Sequence, residues 1–511
     1  MTEILELHGN RLRLEDVEWV AAGESAPQVR LGEAARDRVE AARAFVERLI
    51  AEERVVYGLT TGFGALSDVV VPLDRIRELQ ANLIRSHAAG IGAPLSEPEV
   101  RAVTLLRANV LALGNSGVRP VVIDQLAELL NRRIHPVIPS RGSVGASGDL
   151  APLSHLALVL IGEGEAFYEG ERLPGGEALR RAGLEPLTLE AKEGLALNNG
   201  TQVMTGVGIL ALLAAERAVE TAEVAGAMSL EALRGTPDAF DPLIQSARPH
   251  PGQAESAARL RGLLRDSAIR ESHRYADPRV QDAYSLRCMP QVHGAARQGL
   301  AYVRQVLEIE ANSATDNPLI FPEAEKVLSG GNFHGQIVAQ VLDLIAMVCA
   351  DLASISERRL ARLVDPQLSG LPAFLTAEPG VSSGMMLVQI AAAALTSELK
   401  QKAQPASVDS IPTDANKEDH VSMGMGAALK ARESVALLES VLALELLAAA
   451  QGLEFLKPLR PGVGVEEAYE IVRSVVSPLS RDRVLAPDIA AVEKLVREGR
   501  FARIARGVAE G

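Results

Sequence analysis

Arg141-Gly142-Ser143-Val144-Gly145-Ala146-Ser147-Gly148-Asp149-Leu150, followed by Ala151-Pro152 and the apolar run Leu153 to Ile161, decides how this chain is read. Gly145 and Gly148 bracket Ala146-Ser147, and glycine has no Cβ to forbid a tight bend. Asp149 near a cap and Pro152 in a first turn mark a helix N-terminus. The pattern predicts a serine-bearing loop at the positive end of a helix dipole, where developing negative charge is favoured.

Three chemistries suit such a loop. A nucleophile elbow needs G-x-S-x-G, but Asp149 stands where the last glycine belongs. A phosphate cradle needs Lys and then Ser or Thr after the glycines, and that pair is absent. The third is self-modification. The unhindered amide nitrogen of Gly148 attacks the Ala146 carbonyl and closes a five-membered ring. Loss of water there and from Ser147 then leaves an exocyclic methylene, an electrophile made without any external cofactor. A glycine loop that only caps a helix is the plainer reading of the same residues.

Outward from this loop, helix signals dominate. Val203 to Leu233 is apolar nearly all round, which implies burial on several sides. Apolar residues at 337, 341, 345, 348, 352 and 355 keep a stride of three or four, and Val421 to Leu447 behaves alike. Segments of about 25–30 residues make helices roughly 40 Å long. The expected fold is mainly α: an elongated bundle of long, mostly antiparallel helices with a smaller mixed N-terminal region. Helices apolar on every face also imply that subunits share the bundle.

The expected division is a mixed region over residues 1–120 and a helical body over 121–511. Residues 462–511 are read as an outer segment broken at Pro461, Pro478 and Pro487. Within the mixed region, Ile4 to Leu14 suggests a short hairpin around Gly9-Asn10. Ala34 to Ala51 reads as an amphipathic helix, Tyr57 to Gly64 as loop, and Ile76 to Arg85 and Glu97 to Leu113 as helices.

Composition removes several function classes. The 511 residues carry a net charge of −14 and no basic cluster, which argues against nucleic acid and anionic membranes as partners. Aromatics are only 3% of a chain that is 47% hydrophobic, a balance suited to helix-on-helix packing. Cys288 and Cys349 are the only cysteines, so there is neither a disulfide framework nor a cysteine zinc site, and no metal is called for. The acidic start Met1-Thr2-Glu3-Ile4-Leu5-Glu6 lacks a signal-peptide pattern, so the cytoplasm is expected and Asn199-Gly200-Thr201 is not read as a glycan site. The most apolar run, Val435 to Ala450, holds Glu439 and Glu445, which speaks for a buried bundle helix rather than a membrane span.

Further motifs carry chemistry. Tyr57-Gly58-Leu59-Thr60-Thr61-Gly62-Phe63-Gly64 offers a phenol that is either packed under a glycine loop or used as a base. As a base its reference pKa of about 10 would have to be lowered, by dipoles or cationic neighbours. Asn199, just before the long apolar helix, is readable as its N-cap. Gln281, Tyr284 and Arg287, three apart, share one face if that turn is helical. The planar fork of Arg287 suits a carboxylate, with a surface ion pair as the alternative. Ser313-Ala314-Thr315-Asp316-Asn317-Pro318 and Gly330-Gly331-Asn332-Phe333-His334-Gly335 come next, Phe333 being otherwise a core residue. Ile411-Pro412-Thr413-Asp414-Ala415-Asn416-Lys417-Glu418-Asp419-His420-Val421-Ser422-Met423 is the last.

Taken together and in this order, from Tyr57 to Ser422, these motifs resemble those of the aromatic amino-acid ammonia-lyases, whose Ala-Ser-Gly becomes a methylidene-imidazolone (MIO). The resemblance implies an aspartase/histidase-like helical fold and an MIO formed from Ala146-Ser147-Gly148. It implies that Tyr57 is the general base on a mobile lid and that Asn199 binds the substrate carboxylate and supports the electrophile. Arg287 would anchor that carboxylate, Tyr284 assist elimination, and Gln281 hydrogen-bond within the site. Phe333 matches an aromatic residue beside the electrophile, commonly delivered by a neighbouring subunit of a homotetramer with shared sites. The chain departs from the family pattern at Asn198, where an apolar residue is usual, at Lys417, where Gln is common, and at Asp414, where Ser is common.

Two positions choose the substrate. Ser86-His87 resembles the histidine-specific members, and so does Glu418, which an imidazole meets by hydrogen bond or ion pair whereas phenyl leaves it unpaired. The expected reaction is L-histidine to trans-urocanate and ammonia, the opening step of histidine degradation. Rivals are a phenylalanine or tyrosine ammonia-lyase, an aminomutase that re-adds ammonia to the β-carbon, and a helical relative without chemistry.

Overall fold

The structure, a computed structural model, describes residues 3–275, 277 and 279–508. Twenty-one α-helices occur among the described residues, and the strands are at most four residues long. The fold is mainly α, as the 3.6-residue apolar stride requires.

Contacts divide the chain into two compact units, neither of them one continuous stretch. The first comprises Met1–Leu210, Arg304–Asp343 and Pro405–Leu429; the second comprises Ala211–Val303, Leu344–Gln404 and Lys430–Gly511. A single cut near residue 120 is therefore not where contacts divide. The motif-bearing loops around 315–335 and 411–423 fold onto the N-terminal segment, and periodicity reports elements without saying what they pack against.

In the first unit the expected hairpin is absent. Ile4–Leu7 pairs in parallel with Gln28–Leu31, and the helix Leu14–Ala21 lies between them in sequence. Gly9 is tied elsewhere: its N–H donates to Asn109 Oδ1 at 3.0 Å, and Asn109 Nδ2 donates back to its carbonyl at 3.2 Å. Glu33–Ala51, Ile76–His87 and Glu97–Leu111 form as helices where the pattern placed them, the last opened by a Ser96/Glu99 capping box.

The long apolar segments are the helices Gln202–Ala232, Gln336–Val364 and Gly424–Glu454. Each is long and apolar enough to cross a membrane, yet 78%, 67% and 83% of their apolar windows are buried within the protein. Most of each window is covered by the rest of the protein.

The second unit has its own core, where Leu360, Leu363, Leu447, Val465, Val472 and Phe501 are buried together. Helices Val463–Val475, Ala486–Arg497 and Arg500–Gly507 thus supply core residues rather than only wrapping the outside. Pro487 starts one of them instead of breaking it, because a first-turn proline has no N–H to lose. Through this core runs a buried ion pair. Arg359 Nε and Nη2 donate to Glu445 at 2.5 and 2.8 Å, and Ser229 and Ser356 donate to the same carboxylate.

Candidate active site

The loop of 141–149 joins the strand Pro139–Arg141 to the helix Leu150–Leu160. Gly148 adopts φ +72°, and a Cβ there would sit 2.1 Å from the Gly200 carbonyl oxygen, so no larger residue fits. Asp149 N–H donates to that carbonyl at 2.7 Å. The Asp149 side chain does not cap its own helix. Oδ2 accepts from Val203 N at 3.0 Å and Met204 N at 2.8 Å, while Oδ1 accepts from Ser143 Oγ at 2.8 Å. The turn at 198–201 brings the first turn of Gln202–Ala232 alongside, and its unpaired N–H groups take the carboxylate. Burial pushes the Asp149 carboxyl up to about 6, against those N–H groups, Ser143 and the Arg107 charge.

Asn199 is consequently not the N-cap. It closes the short helix Glu193–Asn198, and its Nδ2 donates to the Ser147 carbonyl at 3.0 Å. Its Oδ1 is buried and has no hydrogen-bond partner among the described residues. From behind, Arg107 Nη1 donates to the Asn199 carbonyl at 2.8 Å. Arg107 is fully buried, its pKa brought down to about 10 by desolvation against the pull of Asp316 and Asp149. Asp316 itself pairs with Lys192 at 2.8 Å, both without exposure. Sequence reading overlooked this support; the signal available was a pair of arginines, Arg101 and Arg107, inside the mostly apolar helix Glu97–Leu111.

A distant segment clamps the loop from the other side. Ser147 Oγ donates to Glu418 Oε1 at 2.6 Å, and Thr413 Oγ1 donates to Glu418 Oε2 at 2.6 Å. Ser422 Oγ donates to the Gly145 carbonyl at 3.0 Å, and Met423 N–H to the Val144 carbonyl at 2.8 Å. Thr413 and Ser422 carry no role in the sequence reading: Thr413 acts through Glu418, five residues on, whereas the contact of Ser422 lies 277 residues away in the chain and leaves no local trace.

The Tyr57 hydroxyl accepts from Gly64 N–H at 3.3 Å. Its pKa is raised, not lowered as a base would require: burial acts first, and Asp414 and Glu418 add to it against the Gly64 N–H. The charges that act on it are carboxylates. His87 Nδ1 lies 3.0 Å from Ser86 Oγ, and burial lowers its pKa against the Leu83 carbonyl, Asp414 and Glu418, so the imidazole is neutral at pH 7.

These residues meet around two adjoining cavities of about 500 and 460 Å³, sizes suited to a small ligand. Tyr57, Ser147, Asn199, Asp414 and Glu418 line both; Phe333, His334 and His420 line the larger, and Ser86 and His87 the other. Phe333 therefore lines a cavity of its own chain, where the resemblance led us to expect delivery by a neighbour. Gln281, Tyr284 and Arg287 line neither cavity and belong to the second unit. Tyr284–Arg287 is one helical turn with the guanidinium 4.5 Å from the Tyr284 ring centre, but Gln281 precedes the turn, so the shared face holds only two of the three. Tyr284 is 71% exposed.

The sequence profile of the aromatic amino acid lyase family matches residues 12–474. The chain is 54% identical to the histidine ammonia-lyase of Stigmatella aurantiaca over 507 residues, 99% of each chain. Among solved structures it resembles the histidine ammonia-lyase of Trypanosoma cruzi, with a TM-score of 0.92 and 42% identity over 99% of this chain and 95% of that one. The tyrosine aminomutase of Streptomyces globisporus resembles it with a TM-score of 0.93 and 38% identity over 98% of both. The chain belongs to the aromatic amino acid lyase family.

Proposed function

We propose that this protein removes ammonia from L-histidine to give trans-urocanate, the first step of histidine degradation. The observation that carries the reading is Glu418, a carboxylate held by Ser147 and Thr413 in a cavity that also holds neutral His87. Once Ser147 has lost its hydroxyl, Glu418 keeps Thr413 and lacks its second donor; an imidazole N–H supplies one and a phenyl ring does not.

Ala146-Ser147-Gly148 fits the MIO group typical of this family. Gly148 is unhindered at nitrogen and barred from carrying a side chain, Ala146 is buried, and Asn199 holds the Ser147 carbonyl while its own Oδ1 has no hydrogen-bond partner among the described residues. When formed, the group supplies an electrophile and no external cofactor is needed. Tyr57 takes the β-proton; burial first, and the Asp414 and Glu418 charges after it, hold its pKa up, and the substrate ammonium offsets those charges. Asn199 and Arg287 bind the substrate carboxylate, Tyr284 assists elimination and Gln281 hydrogen-bonds alongside. Phe333 packs on the substrate. That Gln281, Tyr284 and Arg287 line neither cavity and that Tyr284 is exposed supports a homotetramer with shared sites, in which a neighbouring subunit supplies them. The free thiols of Cys288 and Cys349 suit the cytoplasm.

Purified protein incubated with L-histidine, L-tyrosine and L-phenylalanine separately is the test, with absorbance read for the conjugated acid and chromatography for β-amino acids. Urocanate from histidine is the expected product. Consumption of tyrosine or phenylalanine with histidine untouched would sink the assignment, and a β-amino acid would make the protein an aminomutase.

A further inference from the structure

We propose that Asp414 is a positioning residue for Tyr57, latching the lid turn that holds the phenol. The inference rests on the reading of Tyr57 as the base. Asp414 Oδ2 accepts from Ala65 N–H at 3.0 Å, and the neighbouring Gly64 N–H is the donor to the Tyr57 hydroxyl. The carboxylate lies hard against this backbone: a Cβ on Gly64 would be 2.2 Å from Oδ2. Otherwise the loop is bonded within itself, through Gly62 N–H to the Val69 carbonyl and Val71 N–H to the Thr60 carbonyl. Among the described residues, Asp414 supplies the hydrogen bond that ties 62–71 to a segment beyond the loop.

The turn that presents Asp414 is unusually constrained. Asp414, Ala415 and Asn416 have φ of +46°, +51° and +65°, a region that side-chain-bearing residues seldom enter and never three in a row without support. Support comes from Lys417 N–H on the Asp414 carbonyl and from the paired backbones of Thr413 and Glu418. One short turn thus carries two carboxylates: Asp414 on the lid amide and Glu418 on Ser147. Lid closure and the placement of Glu418 become a single geometric event.

Asp414 also acts on Tyr57 by charge. The groups facing the phenol are Asp414 and Glu418 from this turn and His87 from Ile76–His87, with Lys417, Asp419, His334 and His420 on the cavity wall. Asp414 and Glu418 raise the Tyr57 pKa, so removing one of them lets the base ionise at lower pH.

Two variants separate latch from charge. Asp414→Asn keeps an acceptor and tolerates positive φ; Asp414→Gly removes the side chain without straining the turn. Hydrogen exchange of peptides covering 62–71 should quicken at least about tenfold in Asp414→Gly, the loss of one charge-assisted hydrogen bond, and much less in Asp414→Asn. Ala415→Gly, which loosens the same turn but keeps the carboxylate, should exchange like the parent. In Asp414→Asn, which keeps the turn and loses the charge, the rising limb of kcat/KM against pH should move to lower pH; in Asp414→Gly the weakened Gly64 N–H bond to the phenol opposes that movement. Unchanged exchange in Asp414→Gly overturns the latch. Normal exchange shifts with an unmoved pH profile in Asp414→Asn would leave the latch and overturn the role toward Tyr57. Exchange needs no substrate, so failure of the latch is read apart from any failure of the histidine assignment.

Discussion

Asp149 Oδ2 accepts the Met204 amide at 2.8 Å, so one residue begins the helix Leu150–Leu160 through its backbone and caps the helix Gln202–Ala232 through its side chain. The carboxyl is fully buried and pushed up to about 6, from 3.8. A raised acid is held protonated more tightly by the folded state. Its contribution to stability is complete below 3.8 and is lost as pH rises through about 6. Asp149→Asn keeps an acceptor for both amides and cannot titrate. Between about pH 4 and 7 the Tm of the parent should fall relative to that of Asp149→Asn; parallel curves in a thermal-unfolding series would contradict this.

Ser147→Ala should fold, because Ser147 contributes one side-chain hydrogen bond to Glu418 and its carbonyl contact to Asn199 survives. It should show no lyase activity, since alanine has no hydroxyl to lose. Intact-mass measurement gives an independent reading: the parent is expected two waters lighter than its sequence, and the variant no more than one water lighter than its own. A folded variant with near-parental turnover would falsify the self-made electrophile.

Glu418→Gln tests selectivity. The carboxylate accepts from Ser147 and Thr413 and is the only acid the two cavities share besides Asp414. Loss of its charge should depress kcat/KM for histidine by at least about tenfold, the worth of one charge-assisted contact. Any activity on phenylalanine should fall less or rise. Equal proportional losses on both substrates would assign Glu418 to the common chemistry, leaving selectivity to Ser86-His87.

Arg359→Met strands Glu445 in the second unit with no exposure to water. Leaving one buried charge unpaired costs about 3–5 kcal/mol, so the denaturant midpoint should drop markedly. Adding Glu445→Leu removes the stranded charge and should recover much of the loss. If the double variant is no better than the single one, packing rather than charge governs this position.

Legibility followed the range of the interactions. Tyr57, Ala146-Ser147-Gly148, Asn199 and Glu418 were found because their neighbours in sequence are themselves motif, and the long helices because an apolar stride needs no partner to be seen. Asp149 does mark the start of Leu150–Leu160, although its side chain serves Met204. Two readings went wrong for one reason. The Gly9-Asn10 hairpin and the Asn199 cap each assumed that a polar group serves its nearest backbone. Gly9 instead meets Asn109, and Asn199 meets Ser147. The raised Tyr57 pKa could not be read from its loop, because burial and the charges of Asp414 and Glu418 come from folding, not from those eight residues.

Ser147 and its carboxylate partner are separated by 271 residues. On a translating ribosome adding about 5–20 residues per second, that interval lasts on the order of 15–50 seconds. Throughout it the nascent chain carries an ordinary serine with nothing opposite it. Chemistry that needs the Ser147–Glu418 contact is thereby deferred until the loop of 411–423 has emerged, and a chain truncated before it carries a loop that is present but unarmed.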